Sequence, residues 1–122
     1  MSNIVSNVGV VASDVSGVGS AKEQLAATEY GDDKAIFAYG YTTTRVNEYN
    51  LVSNVGVIAT DTSGVGTVRS GLAACTYGID KGIFGFGNDG SNVSMTNLVS
   101  NTGVVATDTT GVGTARQKLA AC

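Results

Sequence analysis

Residues Val5–Thr28 read VSNVGVVASDVSGVGSAKEQLAAT, and the stretch returns as VSNVGVIATDTSGVGTVRSGLAAC at Val52–Cys75 and as VSNTGVVATDTTGVGTARQKLAAC at Val99–Cys122. Each copy begins 47 positions after the previous one. A second half recurs between the copies, as YGDDKAIFAYG from Tyr30 and as YGIDKGIFGFG from Tyr77. A fixed period of this length is typical of repeat architectures, in which each unit is stabilised by its neighbours.

Within one period, the sequence favours four short β-strands joined by tight turns. The expected strands lie in residues 69–78, 79–87, 92–101 and Val104–Thr107, where small, apolar and β-branched residues recur. Asp89-Gly90 is a hairpin signal. A helical solenoid is disfavoured, because its helices would cross GVG and GFG clusters at about 1 kcal/mol per glycine. We therefore predict an all-β chain made of four-stranded antiparallel β-propeller blades.

The 122 residues hold about 2.6 periods of 47. The expected division is a partial blade at 1–28 and two repeats at 29–75 and 76–122. Because propellers close with roughly four to eight blades, we expect a ring completed by a homo-oligomer, with a dimer favoured. The residues predicted at the junction between chains are Val10, Val11, Leu119, Ala120 and Cys122.

Composition excludes several classes of function. Ten acidic and seven basic residues give a net charge of −3, which argues against a nucleic-acid partner. No run reaches the roughly 18 apolar residues of a membrane span, and the start MSNIVSNVGVVA lacks the basic region of a signal peptide. Without histidine, the common triads and histidine-ligated metal sites are absent. We expect no enzyme activity, no catalytic residue, no cofactor and no metal, and we assign no compartment.

Two recurring polar features have structural interpretations. Asp14, Asp61 and Asp108 recur in the pattern D-x-[ST]-G-V-G, which we interpret as a turn whose aspartate bonds its own backbone two residues on, rather than as a calcium loop. Cys75 and Cys122 occupy equivalent positions of successive units, so we expect no disulfide between them.

A ligand-binding rim is the functional alternative for the residues around the second strand. Aromatic faces beside polar groups are typical of sugar sites, whereas turn packing and solvated charges would explain the same residues without a ligand. The candidate rim residues are Tyr30, Asp33, Lys34, Tyr77, Asp80 and Lys81.

The unit resembles a kelch-type repeat over essentially the whole chain. The kelch arginine is matched by Arg69 and Arg116, with Lys22 as a conservative departure, and the second strand by IFAYG and IFGFG. The third strand and its asparagine-containing turn are matched by VNEYNLVSNVG and VSMTNLVSNTG, although glycine replaces the kelch tryptophan. The uniform copies also resemble repeat proteins of marine bacteriophages and their bacterial hosts.

The kelch resemblance implies a scaffold for protein binding, glycan binding or copper oxidation, and the last branch needs histidines that this chain lacks. We therefore expect a non-enzymatic structural or binding module. One alternative is a lectin with weak, multivalent glycan sites between blades. Another is an engineered or excised propeller fragment with no function of its own.

Overall fold

The computed structural model describes every residue from Met1 to Cys122. It confirms the all-β prediction, since it contains six strands and no helix. No helical segment capable of crossing a membrane is therefore found. The strands are β1 (Ala26–Tyr30), β2 (Lys34–Tyr41), β3 (Arg45–Val52), β4 (Ala73–Tyr77), β5 (Lys81–Gly85) and β6 (Thr96–Val99).

The strands form two three-stranded antiparallel sheets, ordered β1-β2-β3 and β4-β5-β6. The sheets share one register, because Thr28 faces Ile36 in the first and Cys75 faces Ile83 in the second. We call residues 16–62 the first unit and residues 63–109 the second unit. The linker of each unit is the segment ahead of its sheet, residues 16–25 and 63–72. Residues 2–15 are the N-terminal hairpin, and residues 110–122 are the C-terminal segment.

The fourth strand expected at Val104–Thr107 does not form as a strand. Residues 105–109 instead run back along β6 and meet it only at two isolated bridges. Between those bridges, the Asn97 side chain donates to the Ala106 carbonyl. This side-chain hydrogen bond replaces a backbone–backbone bond that a regular strand pair would have there. The same paired bridges recur between β3 and residues 58–62 and between residues 2–5 and 11–15.

The apolar core lies mainly between the two sheets. Tyr39 from β2 meets Phe84 from β5 edge-on, with ring centroids 5.4 Å apart. Only 19 of the 122 residues are buried, so the chain gains limited stability from its own core. The nine apolar residues of this core are Ala26, Tyr30, Ile36, Ala38, Tyr39, Leu72, Phe84, Val99 and Val105.

Candidate functional site

A hydrogen-bonded cluster of asparagine, aspartate and a cation is present once in each unit. In the second unit, Asn97 Nδ2 donates to Asp108 Oδ1 at 2.9 Å, and Arg69 Nη2 donates to Asn97 Oδ1 at 2.6 Å. Arg69 Nη1 also lies 3.8 Å from Asp108 Oδ1. The cluster joins the linker of the unit to the last two segments of its sheet.

The first unit builds the same cluster with lysine as the cation. Asn50 Nδ2 donates to Asp61 Oδ1 at 2.8 Å, and Lys22 Nζ donates to Asn50 Oδ1 at 3.0 Å and to Asp61 Oδ1 at 3.2 Å. Glu48 adds a carboxylate oxygen 3.8 Å from the same nitrogen. Because the Lys22 side chain is almost fully buried, these acceptors are what compensates its lost hydration.

A hydroxyl residue that follows a glycine binds the second carboxylate oxygen of each aspartate. The Thr67 amide and hydroxyl donate to Asp108 Oδ2 at 2.9 and 2.7 Å. Ser20 donates to Asp61 Oδ2 in the same way, at 2.7 and 2.9 Å. The preceding glycine, Gly66 in the second unit, has φ +77°, and a Cβ there would overlap the Asp108 carboxylate. We call this glycine, hydroxyl and cation arrangement the cradle.

The cradle corrects the interpretation of the aspartate motif. Asp61 accepts its backbone bond from Ser20, which lies 41 positions earlier, and not from a residue two positions on. A local turn was expected because aspartate favours such turns. The carboxylate is instead taken up by the linker, which supplies two donors and a cation to Asp61.

Burial and hydrogen bonding act in opposite directions on the pKa of both cradle aspartates, and the hydrogen bonds together outweigh burial. Burial alone would raise the pKa of Asp61, but donors on Asn50, Ser20 and Lys22 outweigh it and hold the pKa well below its ordinary value. Burial also opposes ionisation of Asp108, whose pKa is lowered by Thr67 and Asn97 and then by the charge of Arg69. Both carboxylates are therefore anions throughout the neutral range.

Aromatic rings pack against two arginines, Arg69 of the second linker and Arg116 of the C-terminal segment. The Arg69 guanidinium carbon lies 4.2 Å from the centre of the Tyr39 ring, and that of Arg116 lies 4.3 Å from the centre of the Phe86 ring. Tyr39 and Phe86 have φ values of 62° and 63°, unusual for aromatic residues. In β2 this position is a bulge, and bulges commonly re-aim a side chain. The bulge turns the Tyr39 ring toward the next unit.

The predicted ligand rim is divided between the interior and the surface. Tyr30 is buried, and a Cβ on Gly103 would lie 2.9 Å from its ring. Lys34 pairs with Asp33 at 2.6 Å, and Asn54 also donates to that carboxylate at 2.9 Å. The second unit repeats this arrangement with Lys81, Asp80 and Asn101, while Tyr77 is exposed. Ligand binding by these residues stays a prediction.

The predicted junction residues lie at the two ends of the chain. Val10 and Val11 are exposed on the N-terminal hairpin, where Val11 bridges Val5. Leu119 is half-buried, and Ala120 and Cys122 are exposed. The two cysteines are free. Contact between these two groups of residues in an assembly stays a prediction.

A cleft of about 610 Å³ separates the N-terminal hairpin from the first sheet. Its walls include Lys22, Asn50 and Phe37. The equivalent of Phe37 in the second unit is Phe84, which is covered by Tyr39 of the unit before it. The cleft therefore lies beside Phe37 at the place that corresponds to the Tyr39 ring beside Phe84.

The asparagines that bond the cradle aspartates were not identified from the sequence alone, although a signal was present. Asn50 and Asn97 recur at the 47-residue period together with their aspartates. No group of three or more His, Cys, Asp or Glu side chains is positioned to hold a metal ion anywhere in the structure. No protein-family model and no curated protein matches this chain.

Proposed function

We propose that the chain is a non-enzymatic structural module, a kelch-like propeller segment that forms a closed ring with copies of itself. The observation that carries the proposal is a hydrogen-bonding step that repeats from unit to unit. The Gly71 amide donates to the Gln24 carbonyl at 2.9 Å, and the Lys118 amide donates to the Gly71 carbonyl at 2.7 Å. Each acceptor lies 47 positions before its donor.

A second backbone step supports the same proposal. Gly40 donates to the Arg69 carbonyl at 3.0 Å, and Gly87 donates to the Arg116 carbonyl at 2.9 Å. The C-terminal segment is therefore already held against the second unit as the second linker is held against the first. A backbone that repeats its contacts at every step is open to addition of further units.

Exposed apolar surface is the energetic argument for assembly. The N-terminal hairpin exposes Ile4 and five valines, including Val8 and Val10. Several large apolar side chains exposed together in one short segment are a feature of interaction sites. The hairpin supplies the third and fourth segments of a sheet, and residues 120–122 correspond to the start of a first strand. A sheet shared between two chains would therefore lack its second strand.

Measuring the mass of the protein in solution tests the proposal. Size-exclusion chromatography with light scattering, and analytical ultracentrifugation, are expected to show a single discrete oligomer at micromolar concentration. A dimer is the smallest oligomer expected. A folded monomer of about 12 kDa over the whole concentration range would overturn the proposal.

Glycan binding is the second candidate, and the cleft is the observation that favours it. Its walls combine an exposed aromatic ring, Phe37, with the polar side chains of Asn3 and Ser20. Sugars stack on aromatic faces while their hydroxyls bond polar neighbours. Glycan-array binding that is lost in Phe37→Ala would support this candidate, and an array without signal would dismiss it.

A further inference from the structure

The N-terminal hairpin carries one half of a cradle site. Asn3 Nδ2 donates to the Ala12 carbonyl at 3.1 Å and to Asp14 Oδ1 at 2.7 Å. Asn97 makes the equivalent bonds in the second unit, at 3.0 and 2.9 Å. The hairpin therefore presents a preformed asparagine–aspartate pair. No glycine, hydroxyl and cation cradle of the same chain lies against this pair.

The C-terminal segment carries the other half. Gly113 has φ +87°, in the same left-handed region as Gly66. No atom lies within 4 Å of a Cβ built on Gly113, whereas the Asp108 carboxylate occupies the equivalent space at Gly66. Thr114 follows Gly113 as Thr67 follows Gly66. Arg116 is already seated over Phe86, at a distance within 0.1 Å of that between Arg69 and Tyr39. The cradle is thus built and holds no carboxylate.

Apolar contacts around the two halves are also complementary. Gly103 packs against Tyr30 and Leu51 of the first unit, but its equivalent in the hairpin, Gly9, has no atom within 4 Å of its Cβ position. The equivalents of Tyr30 and Leu51 are Tyr77 and Leu98, which are 38% and 40% exposed. One placement of a second chain would satisfy the polar and the apolar halves together.

We propose that the N-terminal hairpin of one copy docks on the C-terminal segment of a second copy, with Asp14 entering the cradle of Gly113, Thr114 and Arg116. The docking rests on the proposed function, and it gives that assembly its contact and its direction. The Thr114 amide and hydroxyl bond Asp14, while the Arg116 guanidinium bonds Asn3 and pairs with Asp14. Charge complementarity and the two filled cradles within the chain identify the occupant as a second copy.

The interface is heterologous, because different surfaces of the two copies meet. A contact of this kind can be tested by mixing two variants that each lack a different half of it. Asp14→Ala removes the hairpin half and keeps the cradle, and Arg116→Ala does the reverse. Each variant alone is expected to bind itself on the order of 30-fold more weakly than the wild type, as for truncation of one partner of a bonded charge pair. Mixed together, the two variants should form a pair of one chain each and nothing larger.

Native mass spectrometry with one variant isotopically labelled reads out the composition, and circular dichroism verifies that each variant is folded. Arg116→Lys is the matched control, because Lys22 fills the same role in the first unit, and it should retain association. Association lost as fully as in Arg116→Ala would contradict a cation–carboxylate contact. Asp32→Asn, at an exposed turn, should change nothing; if it weakens association as much as Asp14→Ala, the docking proposal is overturned.

The outcomes separate the docking from the proposed ring. A wild type that stays monomeric overturns both proposals. If the wild type associates and both single variants associate as strongly, the docking is overturned and the ring proposal stands. Folded variants that are monomeric alone and remain so when mixed overturn the head-to-tail direction.

Discussion

Phe37 and Phe84 occupy the same position in the first and second units, yet Phe37 is 37% exposed and Phe84 is fully buried. The difference comes from the unit that precedes each of them. Tyr39 covers Phe84, whereas Phe37 faces the cleft beside the N-terminal hairpin. Equivalent sequences thus fold alike but gain different stability, because much of the burial in each unit is supplied by its neighbour.

Truncating the two phenylalanines is expected to give the largest contrast. Phe84→Ala should lower the free energy of unfolding by about 3–5 kcal/mol, because it removes a fully buried ring and leaves a cavity. Phe37→Ala should cost about 1 kcal/mol or less, since its ring is already partly hydrated. Urea unfolding followed by circular dichroism measures both, and equal losses would show that the neighbour does not decide the burial.

The cradle glycines extend the comparison to a filled and an unfilled site. Gly66→Ala should cost about 2–4 kcal/mol, because left-handed backbone disfavours alanine and its Cβ displaces Asp108 from its donors. Gly113→Ala meets no atom and should cost only about 1 kcal/mol of backbone strain. The same urea experiment, carried out at a protein concentration low enough for the chain to be monomeric, separates them. A Gly113→Ala cost as large as that of Gly66→Ala would indicate that the cradle at Gly113 is not empty.

The strands could be predicted from sequence because their signals are local. Ile83 and Phe84 lie in β5, as the β-forming run around them indicated. The segment after β6 was predicted less well, since its β-branched residues Val104–Thr107 favour a strand. There the Asn97 side chain bonds the Ala106 carbonyl, and the sequence around Val104 alone does not contain that contact.

The cradle could not be predicted from local sequence either, because its contacts join residues that are distant along the chain. Asp61 and Ser20 are 41 positions apart, so their contact depends on how the linker folds against the sheet. The arginine of the kelch resemblance was placed at Arg69, but its bonding partners were not. Asn97 would have been found by asking which polar residues recur with that arginine and aspartate.

Exchanging the two cations tests why the units use different ones. Arg69 donates through Nε to the Phe86 carbonyl at 2.9 Å and through Nη2 to Asn97, and it lies over Tyr39. Lysine cannot reproduce that fork, so Arg69→Lys should cost about 1–2 kcal/mol. Lys22→Arg should give no gain, because no residue of the chain stands in the place of Tyr39 there.

Thermal and urea midpoints of the two variants measure this contrast. Glu48 lies 3.8 Å from Lys22, whereas the second unit has Met95 at the equivalent position. If Lys22→Arg were stabilising, the aromatic ring would not be the reason for arginine at position 69.

The smallest expected effect is the dependence of stability on pH. The pKa values of Asp61 and Asp108 are lowered in the folded chain by the hydrogen bonds of the cradle. Their contribution is therefore complete above the unfolded pKa of about 3.9 and is lost as the pH falls through the folded values. Unfolding free energy should decrease below about pH 4, by on the order of 1 kcal/mol for each aspartate, given their partial exposure.

Asparagine variants assign this acid loss to the two cradles. Asp61→Asn and Asp108→Asn should each lower stability at pH 7 and flatten the decline toward pH 2, because asparagine does not bind the proton. The double variant should be flatter than either, since the two cradles lie in different units and titrate separately. If the three curves ran parallel to that of the wild type, other carboxylates would account for the acid sensitivity. The equivalence of the two cradles would then be one of geometry and not of energy.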